Sequence, residues 1–158
     1  MTRRSAFSPT FRVSSVTELT VSWLQEREID GLLLDVDNTL LAPREKALDA
    51  AVLAWLEGLR QAQVPFGFVT NGRPDRVALV ARVTGVPARP LAGKPLPFAF
   101  AREARRLGMP RHRIAMVGDQ WWTDVVGGSA AGMQTILVNP LAPSRAPIVA
   151  RVLQRLVR

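Results

Sequence analysis

The sequence predicts an α/β fold built on a doubly wound, Rossmann-like parallel sheet. Apolar segments at residues 32–36, 64–70, 114–117 and 134–138 have the composition of strands that are buried on both faces. Segments with helical spacing of apolar residues separate them, which is typical of βαβ units. Polar residues directly follow three of these strands, at the sheet edge where open parallel sheets bind ligands.

The N-terminal half begins with residues 1–15, which we expect to be irregular. A short helix ending near Glu28 follows, because residues that can cap a helix precede apolar residues at helical spacing. After the first strand, apolar residues recur at helical spacing between Leu48 and Leu59 and predict a helix over residues 44–63. The second strand ends at Asn71-Gly72, a pair that favours a turn.

The C-terminal half alternates helices and strands in the same way. Pro74 opens a helix that reaches about residue 83, since proline suits the first helical turn. The remaining predicted elements are a short strand or loop at 85–93, a helix at 96–107, a strand at 114–117, a helix at 123–131, a strand at 134–138 and a helix at 146–158. Without a repeat or a low-complexity linker, residues 1–158 are expected to form a single domain.

Composition limits the compartment and the class of protein. The chain has 158 residues, of which 47% are hydrophobic, enough for a globular core. It has no cysteine, which excludes a disulfide framework and fits a reducing cytoplasm. No apolar run approaches the ~18 residues of a membrane span, and none follows Arg3 and Arg4 as in a signal peptide. We therefore expect a cytoplasmic protein, or one that is peripheral on the inner face of the membrane.

The formal net charge of +8 raises the alternative of nucleic-acid binding. However, the arginines are scattered through every segment, and the only lysines are Lys46 and Lys94. This distribution indicates compositional bias, so we expect no dedicated nucleic-acid surface. The charge does predict affinity for anionic partners such as phosphate esters.

Two aspartates, Asp35 and Asp37, end the first strand one residue apart. Such a pair repels itself unless a cation or a substrate compensates the charge. A hard divalent ion with oxygen ligands, Mg²⁺ above all, provides that compensation. A polar loop or a helix cap is the structural alternative for the same two residues.

Further polar residues follow the later strands and complete a set suited to phosphoryl transfer. Singly, each also fits a turn, a solvated charge or a cap; together, a doubly wound sheet brings them to one edge. Asp35 can act as the nucleophile and Asp37 as general acid and base. Thr70 and Lys94 can bind the transferred oxygens, and Asp35 with Asp119 can hold the metal; Asn71 and Asp124 follow the same strands as further candidates for phosphate and metal contact.

The segments DVDNTL, FGFVTNG, Lys94-Pro95 and VGDQWWTD resemble, in this order, motifs I to IV of the haloacid-dehalogenase (HAD) superfamily. The resemblance implies Asp35 as nucleophile and Asp37 as general acid and base. It also implies Mg²⁺ held by Asp35, by the backbone carbonyl of Asp37 and by Asp119, with Asp124 as an auxiliary contact. No cap domain fits within residues 41–64 or 71–93. Response-regulator receivers are excluded, because the second strand ends in Thr70-Asn71 and not in an aspartate.

The string GDQxxTDVxGGxxxGMxTILVxP, over residues 118–140, and the segment leading into DVDNTL are similar to the YqeG-type subclass IIIA phosphatases of that superfamily. Some relatives dephosphorylate phosphatidylglycerophosphate, which makes an anionic lipid the first substrate to consider. Trp121-Trp122 and the amphipathic 146–158 segment fit a lipid surface. Ser129-Ala130 departs from the Asn-Arg expected in this group. The alternatives are a phosphatase of a soluble sugar, nucleotide or other small ester, and a non-catalytic binding module for nucleic acid or a ribosome-associated partner.

Overall fold

Five parallel strands form one sheet in the protein, whose computed structural model describes residues 7–143. The strands are β1 (Phe11–Val13), β2 (Gly31–Leu34), β3 (Phe66–Phe68), β4 (Ile114–Gly118) and β5 (Gln134–Val138). The helices are α1 (Val21–Glu26), α2 (Ala50–Gln61), α3 (Pro74–Thr84), α4 (Pro97–Leu107) and α5 (Gly127–Ala130). The α/β prediction with a parallel sheet is therefore confirmed.

The strand order is β1-β5-β4-β2-β3, so the chain changes direction across the sheet after β3. Strand β2 pairs with β3 on one side and with β4 on the other. The boundary between β2 and β4 is thus the switch point, where doubly wound sheets bind ligands at their carboxyl ends. Asp35 and Asp119 directly follow these two strands.

Helices cover both faces of the sheet, and successive residues of β2 alternate between them. Leu32 and Leu34 pack in a cluster that includes Leu56 of α2. Leu33 packs in a second cluster, which includes Phe100 of α4. All four residues of β2 are buried, as the uninterrupted apolar run predicts for a central parallel strand.

Residues 11–13 form an edge strand, so the prediction of an irregular segment over residues 1–15 is wrong there. Phe11 pairs with Ile136 and Val13 with Val138 of β5. Three residues are too few to show a period-two pattern in the sequence. The strand exists because β5 offers it a free edge.

Helix α2 starts at Ala50, later than the predicted residue 44. Residues 42–49 form a loop instead, and Asp49 occupies the N-cap position of the helix. The side chain of Arg76 binds several backbone carbonyls of this loop, which favours the loop over another turn of helix. This is a tertiary contact and leaves no local signal.

The predicted helix over residues 123–131 is also different. A π-helical turn, Trp121–Val126, precedes the short helix α5. Within residues 7–143, no helix has the length and apolar character needed to cross a bilayer. The predicted helix at 146–158 lies outside the described residues, so the single-domain prediction for residues 1–158 stays a prediction.

Candidate active site

An open pocket of about 180 Å³ lies at the carboxyl ends of β2, β3 and β4. Five of the predicted site residues line it, together with Gly72, Gln120 and Thr123: these are Asp35, Asp37, Thr70, Asn71 and Lys94. Asp119 and Asp124 lie close to Asp35, with one carboxylate oxygen of each of the three within 4.8 Å of the others. The structure thus brings all seven predicted residues together.

Lys94 is the buried counter-ion of two carboxylates. Its Nζ donates to Asp35 Oδ1 at 2.8 Å and to Asp124 Oδ1 at 2.6 Å, and its side chain is only 2% exposed. Burial lowers the pKa of Lys94, but the charges of Asp124 and Asp35 outweigh this and raise it above the ordinary value of lysine. The ammonium therefore stays charged throughout the neutral range.

Asp119 shares this buried environment, and within residues 7–143 it forms no ion pair with a basic side chain. Burial, and then the charges of Asp35 and Asp124, raise the pKa of Asp119 to about 8. Thr39 Oγ1 donates to Asp119 Oδ1 at 3.2 Å and lies 3.4 Å from Asp35 Oδ2, so one hydroxyl links the two carboxylates. Burial also raises the pKa of Asp124, although its ion pair with Lys94 acts in the opposite direction.

The donor set fits a hard divalent cation. Asp35, Asp119 and Asp124 offer three buried carboxylates, whereas Lys94 supplies a single positive charge to two of them. Ionisation of all three carboxylates leaves the cluster with excess negative charge, which a cation bound by oxygen ligands offsets. The Asp37 carboxylate is not part of this cluster. Coordination through its backbone carbonyl stays a prediction.

Two glycines allow the acidic side chains to approach the backbone. A Cβ at Gly118 would overlap the carboxylate of Asp124, which lies against the end of β4. The same carboxylate accepts a hydrogen bond from Gln120 N at 3.0 Å. A Cβ at Gly72 would lie 2.5 Å from Asp37 Oδ2. Both positions require glycine because a Cβ would overlap a neighbouring carboxylate, and not because the backbone is left-handed.

Thr70 and Asn71 lie in the loop after β3. The Thr70 hydroxyl accepts a hydrogen bond from Gly72 N at 2.9 Å, which leaves its own hydrogen for a pocket ligand. The Asn71 side chain is engaged with the neighbouring loop: it accepts from Gly93 N and Lys94 N and donates to the Lys94 carbonyl. Asn71 Nδ2 has a second hydrogen beside the one it donates to Lys94, so the phosphate contact predicted for Asn71 would come from that hydrogen or from the backbone N–H.

Sequence reasoning missed Arg76, the ion-pair partner of Asp37. The residue looks like an ordinary surface arginine of an amphipathic helix, and no motif marks it. No role is predicted from the sequence for Asn38 either, whose amide exchanges two hydrogen bonds with the backbone of Ala142. The signal available for Asn38 is its position in the sequence, directly after Asp37 and directly before Thr39.

The two tryptophans beside the site have different roles. Trp121 is buried, and its Nε1 donates to the Phe7 carbonyl at 2.6 Å. It packs inward and is no candidate for contact with lipid. Trp122 is 53% exposed and lies between Gln120 and Thr123, which line the pocket.

Comparisons with known proteins show the family of the chain. The HAD-hydrolase-like family model matches residues 91–140. Probable phosphatase YqeG of Bacillus subtilis (strain 168) is 33% identical over 138 residues, which cover 87% of this chain and 80% of that protein. The chloroplastic phosphatidylglycerophosphate phosphatase 1 of Chlamydomonas reinhardtii is 31% identical over 140 residues, covering 80% of this chain but 51% of that protein. The chain therefore spans about half the length of that relative.

Among solved structures, a HAD family hydrolase from Deinococcus radiodurans R1 with bound phosphate and sodium superimposes with a TM-score of 0.54. It is 19% identical, and the match covers 82% of this chain and 88% of that one. The fold is thus that of the HAD hydrolases, a class of phosphatases among other enzymes. The chain belongs to this superfamily, in its YqeG-type group, and is a phosphatase. The family generally uses a divalent metal ion, for which the acidic cluster is suited.

Proposed function

We propose that the protein is a magnesium-dependent phosphomonoester hydrolase that acts through an aspartyl-phosphate at Asp35. The observation that carries this proposal is the arrangement at the switch point of the sheet. There, the Asp35 carboxylate adjoins a buried ammonium, two further buried carboxylates and an open pocket. In-line phosphoryl transfer needs such a nucleophile together with positive charge around the phosphoryl oxygens.

Asp35 would attack the phosphorus atom, forming an acyl-phosphate bond while the bond between phosphorus and the ester oxygen breaks. Asp37 would give its proton to the departing alkoxide and then remove a proton from the water that hydrolyses the acyl phosphate. Thr39 orients Asp35 from the side opposite Lys94, since Lys94 approaches Oδ1 and Thr39 approaches Oδ2.

Lys94 and Thr70 would bind the transferred oxygens. The Lys94 ammonium stays protonated because of its two carboxylate neighbours, and Asn71 holds the backbone of its loop in place. Magnesium, held by the carboxylates of Asp35 and Asp119, would screen the nucleophile from the phosphate charge. Asp124 anchors Lys94 and would be an auxiliary metal contact.

The leading substrate is a phosphorylated lipid of the phosphatidylglycerophosphate type, with soluble phosphate esters as the alternative. The pocket is large enough for a phosphate group and a small part of the alcohol, so the rest of the substrate would lie over the open rim. Exposed large hydrophobic side chains occur near the lining residues in the chain and would contribute apolar surface to that rim: Leu91, Leu96, Phe98 and Trp122.

Contacts place two of these residues, Leu91 and Phe98, close to the pocket in space. Leu91 N donates to the carbonyl of Gly72, a lining residue. The ring of Phe98 lies against Gly93, next to Lys94. Exposed aromatic and aliphatic side chains around an anion-binding pocket suit a phosphate carried at a lipid surface. A peripheral position on an anionic membrane follows from this proposal.

The test is phosphate release with Mg²⁺, comparing phosphatidylglycerophosphate in mixed micelles with a panel of soluble phosphate esters. The Asp35→Asn variant is the blank and should turn over at least ~10³-fold more slowly. A strong preference for the lipid supports the full proposal. Turnover of soluble esters alone supports the phosphatase mechanism but contradicts the lipid substrate and the position at the membrane. Unchanged turnover by purified Asp35→Asn would overturn the mechanism.

A further inference from the structure

Arg76 makes more polar contacts within the protein than an arginine that is solvated at the surface would make. It lies in the first turn of α3, and its side chain is only 15% exposed. Its Nε donates to Asp37 Oδ1. Its two terminal nitrogens donate at 2.9–3.2 Å to four backbone carbonyls of the loop after the aspartates, those of Leu41, Ala42, Pro43 and Glu45.

These contacts fix the guanidinium from three sides. A guanidinium presents five N–H donors in a rigid planar fork, so its orientation is determined once the loop carbonyls are bound. The Nε–H then reaches Asp37 from a defined direction and occupies Oδ1. The other oxygen, Oδ2, lies over Gly72 in the loop after β3. Asp37 and Gly72 both line the pocket.

We propose that Arg76 is a positioning residue for general acid–base chemistry: it binds Oδ1 of Asp37, so that Oδ2 is the oxygen that exchanges a proton with the substrate. The inference rests on the proposed role of Asp37. The side chain of Asp37 is 39% exposed, and without a fixed partner it would sample several rotamers at the pocket edge. Arg76 acts through Asp37 and does not itself contact the phosphate.

A residue that only stabilises the loop would affect all substrates equally. A positioning residue for the general acid has a selective effect, since a poor leaving group needs protonation and a good one does not. The ratio kcat/KM isolates this step, because it reports events up to the first irreversible step, here the transfer of the phosphoryl group to Asp35.

The experiment compares kcat/KM of the wild type and Arg76→Met on two substrates, 4-nitrophenyl phosphate and an alkyl phosphate. We expect a loss of about 10²-fold on the alkyl ester and of less than about 3-fold on the nitrophenyl ester. Arg73→Met is the matched control. It also removes an arginine at the start of α3, but one whose side chain is 80% exposed and pairs with Asp75 on the surface. It should leave both values unchanged.

A double-variant cycle separates positioning from stability. In an Asp37→Asn background, Arg76→Met should cause no further loss on the alkyl ester, because Arg76 has no acid left to position. If Arg76→Met does not fold, Arg76→Lys keeps the charge and a donor for the loop without the fork, and the same selective loss is expected of it.

Equal losses on both esters, or full additivity with Asp37→Asn, would overturn the role of Arg76 and leave the proposed function intact. Asp37→Asn without any effect on the alkyl ester would overturn the proposed role of Asp37 itself, and the role of Arg76 with it. The two failures are therefore distinguishable in one set of measurements.

Discussion

Replacing Gly118 by alanine tests the packing on which the proposed metal and phosphate sites both depend. The added methyl group would meet three atoms of Asp124, of which the Cβ would be 2.7 Å away. Ordinary carbon contacts begin near 3.5 Å, so the Asp124 side chain has to move by about 1 Å. Asp124 is only 1% exposed and has no free space to move into without breaking its contacts.

The cost follows from those contacts. Asp124 loses its hydrogen bond from Gln120 N and its 2.6 Å ion pair with Lys94, which is itself buried. Breaking a buried ion pair costs about 3–5 kcal/mol. In a chain of 158 residues, this lowers Tm by about 10 °C. The Mg²⁺ affinity should fall by about 10–100-fold, since the acidic cluster loses its geometry.

The assay is thermal unfolding with and without Mg²⁺, together with a calorimetric titration of Mg²⁺ and kcat/KM on a soluble ester. Gly58→Ala is the matched control, because a Cβ at this position in α2 meets nothing within 4 Å. It should stabilise the protein by about 0.5–1 kcal/mol through the better helix propensity of alanine. A Gly118→Ala variant with the wild-type Tm, Mg²⁺ affinity and turnover would show that Asp124 does not need this space.

Three further predictions follow from the site. Gly72→Ala should displace the Asp37 carboxylate and lower kcat/KM for an alkyl phosphate by about 10²-fold, with circular dichroism unchanged; a wild-type value would contradict the close packing. The pKa of Asp119 is raised to about 8, so ionisation of this buried group destabilises the metal-free protein as the pH rises towards that value. The affinity for Mg²⁺ rises over the same range, because the ion binds the ionised carboxylate. The Mg²⁺-induced increase in Tm should thus grow between about pH 5 and about pH 8, and Asp119→Asn should flatten it. Trp122→Ser should raise KM for the micellar lipid several-fold and leave KM for soluble esters unchanged. Leu53→Ser, a control at an exposed apolar residue of α2, should change neither value. Equal effects of the two variants would contradict contact between the rim and lipid.

The central strands and the residues that follow them were predictable because their signals are local. A run of apolar residues without alternation, as in β2, indicates a strand that is covered on both faces. A parallel sheet then brings Asp35 and Asp119 to the same edge whatever the details of the loops. The predicted strand at 134–138 matches β5 in both bounds.

The features that were not predictable depend on contacts between distant parts of the chain. The edge strand β1 exists through its pairing with β5, and the loop before α2 is held by Arg76 from another helix. Nothing in the sequence near Arg76 distinguishes it from the other arginines. Similarly, the engagement of the Asn71 side chain with the Lys94 loop requires a hydrogen-bond partner 22–23 residues away.

Trapping the covalent intermediate is the most direct test of the account. The protein would be mixed with Mg²⁺ and an ester carrying labelled phosphate, quenched in acid during turnover and digested for mass spectrometry. We expect acid-stable phosphate on the peptide that contains Asp35 and none in Asp35→Asn. The phosphorylated peptide should accumulate in a variant in which Asp37 activates water poorly. Phosphate release at the wild-type rate with no label on Asp35 at any time of quenching would contradict it.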